Sequence, residues 1–305
     1  MSERKRARVT MRSLKILVAL AIVIASPAYG QSPWPQTFAQ APIANSVAVE
    51  GGRLSYEVAG SGLRTIIFIH DGFTDMRVWD EIWPVLGHEY RVVRYDRRGH
   101  GRTPESSRPY SAVDDIASLV VELGIARAVI VAGSDGADLA LGFALAHPAQ
   151  VEQLVLVSPR VAGGPPSPST DARISANNAA LASGDVATSI GLWVNDRYIV
   201  NGPNRSARAR LRSILETSPH DLNNRDSQDR ARASVLPRLS GVSAPTLILY
   251  GARDMPDILP VSRAIQLALP GARLDPVQGS GHLIYLDEPE IFAAAVLAFV
   301  RPWTP

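Results

Sequence analysis

The sequence predicts an α/β fold built on a doubly wound, mostly parallel sheet, and three observations predict it. Short, almost wholly apolar runs such as Thr65-Ile66-Ile67-Phe68-Ile69 and Ala128-Val129-Ile130-Val131-Ala132 have the pattern of strands buried on both faces. These runs alternate with helical segments, the rhythm of repeated βα units. The second run also leads through Gly133-Ser134-Asp135-Gly136 into the apolar stretch Leu139 to Ala144, which reads as strand, sharp turn with a serine at its apex, and helix. With 305 residues and 46% apolar content, the chain suits one large domain, or one domain with an insertion.

Residues 1–30 read as a secretory signal peptide. Arg4, Lys5, Arg6, Arg8, Arg12 and Lys15 form a basic start, Leu14 to Ile24 is mostly apolar, and Ala28-Tyr29-Gly30 supplies small residues for cleavage before Gln31. The apolar part is short for a bilayer span, so export to the periplasm or beyond is expected, with membrane contact only through an uncleaved leader. The leader holds six basic residues and one acidic, so its removal takes the formal charge from +2 to −3. The sequence pI near 9.0 therefore comes from the leader and gives no argument for a nucleic-acid partner. There is no cysteine, which excludes disulfides, thiolate metal sites and a cysteine nucleophile.

Residues 31–45 are Pro-rich and unpatterned, as expected of a flexible tether, and 46–305 form the predicted domain. It begins with two short strands, Val47 to Val49 and Leu54 to Val58, around Gly51-Gly52. After Thr65 to Ile69, strands are expected at Arg91 to Asp96, Ala128 to Ala132 and Leu154 to Val157. Helices are expected at Ser111 to Leu123, with Ser111 and Asp114 placed as a capping box and Gly124 as the C-cap, and at Gly136 to Ala146. The rhythm breaks at Ser158-Pro159. From 160 to about 238 there are helical patches, such as Ile174 to Leu181 and Arg208 to Glu216, but no strand of the core type. This insertion reads as a helical lid, and its apolar Ile190, Leu192, Trp193 and Val194 suit either a pocket wall or the lid's own core. Strand character returns at Pro245 to Tyr250, and Pro289 to Val300 is a final helix.

The Ser134 turn is the context a nucleophile elbow requires, with glycines where helix and strand approach too closely for a Cβ. A serine hydroxyl is a poor nucleophile at neutral pH. It needs an oriented base, and that base needs a carboxylate to fix its tautomer. In sheets of this type ligands sit at the carboxyl ends of strands. Two side chains have that address: Asp254, after the strand ending at Tyr250, and His282, in Gly279-Ser280-Gly281-His282. The order Ser134, Asp254, His282 suits such a site.

Four stretches together resemble the α/β-hydrolase-fold family over about Val47 to Val300. They are Ile69-His70-Asp71-Gly72-Phe73 with Trp79 nine residues after the histidine; Tyr95-Asp96-Arg97-Arg98-Gly99-His100-Gly101-Arg102; the elbow with Pro148 fourteen residues after Ser134; and the Gly251…Asp254 and Gly281-His282 pair. The resemblance implies an eight-stranded sheet and a hydrolase that cleaves an ester-like bond of a small acyl substrate through an acyl-enzyme, with no cofactor or metal. It implies backbone oxyanion donors at Asp135 and in the turn after Ile69, where spacing to Trp79 favours Gly72 over Phe73. Asp135 is the rival nucleophile, because dehalogenase-like relatives carry an aspartate there, but counting back from Pro148 favours Ser134. His70 and His100 fall where the family places structural residues. Asp257 is the alternative acid; Ser158-Pro159-Arg160 offers no carboxylate at the other position relatives use. Two departures stand out: Asp71 and Ala132 replace the usual glycines. Asp71 and Asp135 bring carboxylates near a developing anion, so both are expected to point away from it or to bind outward-facing groups. Similar triads serve lactonases, C–C bond hydrolases, cofactor-free perhydrolases and some lyases, and ligand-binding receptors share the fold.

Overall fold

The structure is a computed structural model, and it describes residues 37–38, 40–164, 168–223 and 234–301. The expected signal peptide, part of the expected tether and parts of the insertion lie outside the described residues.

Eight strands form one sheet: β1 (Ile43–Val49), β2 (Gly52–Ala59), β3 (Thr65–Ile69), β4 (Arg91–Tyr95), β5 (Ala128–Gly133), β6 (Val151–Val157), β7 (Thr246–Gly251) and β8 (Arg273–Val277). Their order is β1-β2-β4-β3-β5-β6-β7-β8. β2 is antiparallel to both β1 and β4, and every pairing from β4 to β8 is parallel. The helices in chain order are α1 (Trp83–Leu86), α2 (Ala112–Glu122), α3 (Gly136–Ala146), α4 (Pro168–Ala182), α5 (Val186–Val194), α6 (Arg205–Thr217), α7 (Ile258–Ala268), α8 (Ile284–Asp287) and α9 (Pro289–Val300).

The apolar runs are explained by a core on each face of the sheet. Along β3, Ile66 and Phe68 pack on one side with Trp79, α1 and α9, while Ile67 and Ile69 pack on the other with α2, α3 and α7. All five β3 residues and all six of β5 are buried, so neither strand can alternate polar with apolar residues. Each fully buried Ile, Leu or Val contributes about 1.5–3 kcal/mol. The predicted cap of α2 is present: Ser111 Oγ accepts the Asp114 N–H at 3.2 Å.

One boundary differs from expectation. β1 starts at Ile43, inside the stretch read as a tether, and Ile43, Ala44 and Asn45 pair with Val58, Glu57 and Tyr56. Ile43 itself is exposed and is followed by the small or polar Ala44, Asn45 and Ser46, so no apolar alternation marked them; the ladder to β2 places them.

Between β6 and β7 the described residues hold α4, α5 and α6 and no strand. Ile190, Val194, Leu211, Ile214 and Leu215 join the core on the α9 face. The loop after α5 is bonded to the chain that carries His282: His282 N–H donates to Tyr198 O at 2.7 Å, and Leu283 N–H to Ile199 O at 3.0 Å.

Candidate active site

The elbow forms where β5 gives way to α3. Ser134 has φ +50°, the left-handed region that a β-carbon disfavours, and such a residue persists only where its surroundings over-determine it. The surroundings here are tight. A Cβ on Gly136 would lie 2.6 Å from the His70 carbonyl, and one on Gly133 would lie 2.8 Å from the Tyr285 hydroxyl. Ser134 N–H donates to Val157 O at 2.9 Å, and Ser134 O accepts from Arg160 N–H at 3.0 Å, so the apex is bonded at both ends to the chain leaving β6.

The structure brings together the three side chains that sequence selected. His282 Nε2 lies 2.9 Å from Ser134 Oγ, and His282 Nδ1 lies 2.8 Å from Asp254 Oδ1. A carboxylate accepts only, so Nδ1 carries the proton and Nε2 is left to accept from the serine hydroxyl. All three are buried; His282 and Asp254 are 1% and 3% exposed at the side chain. Asp254 Oδ1 also accepts the Met255 N–H at 2.7 Å, which fixes the carboxylate. Asp257 faces elsewhere and accepts from Thr170 Oγ1 at 3.0 Å. This arrangement can move a proton from hydroxyl to imidazole and hold the resulting imidazolium beside a carboxylate.

The turn after β3 is organised by Asp71. Its buried carboxylate accepts from Phe73 N–H and Thr74 N–H, both at 3.0 Å, from Thr74 Oγ1 at 2.8 Å and from Tyr285 OH at 2.9 Å. Burial pushes its carboxyl above the usual range, with the charge of Asp135 adding to the shift. Burial and the Asp71 charge also push the Tyr285 hydroxyl well up, so it stays a donor. The Phe73 N–H is thus committed within the turn. The Gly72 N–H makes no hydrogen bond among the described residues, and Gly72, Ser134 and Asp135 line the same cavity.

Of these two carboxylates, Asp71 turns away into its own turn. Asp135 stands on the cavity wall, one-third exposed, with Arg97 Nη1 3.2 Å from its Oδ2. It is no partner of His282. That ion pair, like the Tyr285–Asp71 bond, joins residues too distant in sequence to be read there. His70 donates from Nδ1 to Asp71 O at 2.6 Å and accepts Arg97 N–H at Nε2 at 2.9 Å. Burial, the adjacent His100 and Arg97 hold its pKa well below the ordinary value, so it stays neutral. His100 packs on it with ring centroids 4.8 Å apart. Neither ring bonds to Ser134.

A cavity of about 490 Å³ opens in front of Ser134 and His282, walled in part by the insertion through Arg160, Thr170, Arg173, Asn177 and Trp193. The four apolar insertion residues divide. Ile190 and Val194 are core, Leu192 is exposed, and Trp193 forms wall, stacked on Phe73. Among the described residues no three His, Asp or Glu side chains are grouped as a metal site requires.

The chain is 30% identical over 234 residues to a Caulobacter sp. (strain K31) protein named as a carbamate hydrolase, covering 73% of this chain and 85% of that one. It is 26% identical over 255 residues to 3-oxoadipate enol-lactonase 1 of Acinetobacter baylyi, covering 83% and 94% respectively. In fold it resembles the crystal structure of the enol-lactonase from Burkholderia xenovorans LB400, with TM-score 0.72, 22% identity, and coverage of 84% of this chain and 99% of that one. The eight-stranded sheet, the elbow and a family match spanning residues 66–295 agree: the chain belongs to the alpha/beta hydrolase family.

Proposed function

We propose that this hydrolase cleaves an ester-like bond, a carboxylic ester or lactone, of a small molecule through an acyl-enzyme. The observation that carries the reading is His282 bridging Ser134 Oγ and Asp254 Oδ1 within hydrogen-bond distance of both. Ser134 Oγ attacks the carbonyl while its proton passes to His282 Nε2. The carbonyl oxygen takes the negative charge and accepts from the Gly72 and Asp135 backbone N–H groups. Collapse expels the alcohol, which takes the proton from His282, and a water then enters by the same route to release the acid. Asp254 holds the imidazole in the required tautomer throughout. The helical insertion serves as the lid that walls the substrate. Relatives named for lactone and carbamate cleavage support hydrolysis at an acyl carbon.

The test joins a fluorophosphonate probe with a panel of p-nitrophenyl esters, on the chain from Gln31 onward and its Ser134→Ala variant. Adduct formation at Ser134, and turnover reduced about 10⁴-fold or more in the variant, are expected. A folded protein that neither labels nor turns over any ester would overturn the reading in favour of a ligand-binding role. Equal turnover by both proteins would remove Ser134 from the mechanism. Export through residues 1–30 is part of the proposal, and retention of the intact chain in the cytoplasm on cell fractionation would reject it.

A further inference from the structure

Five ionisable side chains line the cavity in front of Ser134: Asp135, Asp138, Arg160, Arg173 and His282. Four are engaged. Asp135 pairs with Arg97, and Asp138 is buried and accepts the Ala162 N–H at 3.2 Å. Arg173 is ion-paired with Asp196 and lies over the Tyr198 ring. His282 bridges Ser134 and Asp254. The half-buried Arg160 guanidinium has no hydrogen-bond or ion-pair partner among the described residues.

Its main chain is held firmly. Ser158 has φ +47°, so Ser134 and Ser158 are the two non-glycine residues in the left-handed region among those described. A residue held there costs on the order of 1–3 kcal/mol. Ser158 N–H donates to Leu249 O at 2.7 Å, and two residues later Arg160 N–H donates to Ser134 O. The strained kink therefore places Arg160 against the elbow itself. A guanidinium there presents a rigid fork of donors shaped for a planar oxyanion, and a cavity that excludes water strengthens such a pair.

We propose that the substrate carries a carboxylate a few bonds from its scissile carbonyl, and that Arg160 binds that carboxylate and sets specificity. The proposal rests on the serine-hydrolase reading for the scissile bond, while the anion-binding half stands on the cavity alone. Asp135 and Asp138 are already held by Arg97 and by the Ala162 N–H, so Arg160 is the cation on this wall left to meet an anion.

Two series of esters test it, one with the carboxylate in the acyl chain (mono-p-nitrophenyl glutarate) and one with it in the alcohol (4-acetoxybutyrate). Each is compared with its neutral methyl ester or primary amide. A preference in kcat/KM for the anion of about tenfold or more, in at least one series, is expected at low salt, shrinking as salt rises. Arg160→Gln abolishes that preference mainly through KM, and Arg160→Lys retains part of it. Equal kcat/KM for anionic and neutral members of both series, or an anion preference that survives Arg160→Gln, overturns the proposal. Calorimetry of the Ser134→Ala variant with glutarate monoamide against glutaramide separates the two ideas. Anion-selective binding that needs Arg160, with no hydrolysis by the wild type, rejects the serine hydrolase and keeps the anion site. Hydrolysis of neutral esters with no anion-selective binding does the reverse.

Discussion

Phe73 and Trp193 lie face to face, with ring centroids 4.4 Å apart and planes 15° from parallel. Phe73 adjoins the Gly72 amide on the core turn, and Trp193 belongs to α5 of the insertion, where its Nε1–H donates to Asn177 Oδ1 of α4 at 2.9 Å. The insertion is thereby clamped to the turn that carries the proposed oxyanion donor. A stacked pair contributes about 0.5–1.5 kcal/mol beyond its buried area. Trp193→Ala is expected to lower kcat/KM by about 3- to 10-fold, in line with that energy. Trp193→Phe keeps a ring on Phe73 and loses less. Steady-state kinetics on both variants check this, and an alanine variant with wild-type kcat/KM removes the clamp from the account.

Asp254 and Asp257 are separated by their partners, the first on His282 and the second on Thr170. Asp254→Asn presents an amide that favours the wrong histidine tautomer, and comparable sites lose about 10⁴ in kcat from that change. Asp257→Asn is expected to leave kcat close to wild type. Measuring the pair side by side decides the assignment, since the opposite ranking would exchange the two residues' roles.

Tyr285 supplies one of the four hydrogen bonds to the buried Asp71 carboxylate. Tyr285→Phe removes that donor while keeping the ring, which packs on Trp79 with centroids 4.3 Å apart. Loss of one partner from a buried acceptor costs about 1–3 kcal/mol. Urea unfolding should show that loss, with little change in the slope; an unchanged midpoint would mean another donor takes Tyr285's place.

Asp96 and Asp221 are both buried. Asp96 accepts from Met76 N–H and Arg102 N–H, and Asp221 accepts from Gly101 N–H. Burial, reinforced by Asp75, raises Asp96 to about 7 and Asp221 to about 8. An unfolded chain releases these protons near pH 4. Between about pH 4 and 8 the folded state therefore binds more protons than the unfolded one, and stability is lost as pH rises. The urea midpoint is expected to fall from pH 5 to pH 8, and Asp221→Asn, which keeps the acceptor for Gly101, to flatten that slope. A midpoint that rises over the same range contradicts the shifts.

Much of this was legible because chemistry and sheet geometry share an address. β3 and β5 announce themselves as apolar runs because both their faces are covered. Ser134, Asp254 and His282 each follow a strand's carboxyl end, which short-range pattern locates. Ser111 could be read as a cap because its partner is three residues away. What escaped was set by distant pairs. β1 is an edge strand whose polar start carries no alternation. Arg97 meets Asp135 across 38 residues, and Tyr285 meets Asp71 across 214. The left-handed Ser158 is a residue type that ordinarily avoids that conformation, so nothing local marked the kink or the arginine it positions.

The serine and its histidine stand 148 residues apart, and the histidine follows the last strand of the sheet. A chain emerging from its N-terminus presents Ser134 long before it presents the base. Until β8 pairs with β7 at the far edge, Ser134 is an ordinary alcohol, and no partly folded form can acylate itself on a passing ester. Gain of activity is therefore expected to report docking of the sheet end that carries His282, rather than of the elbow alone.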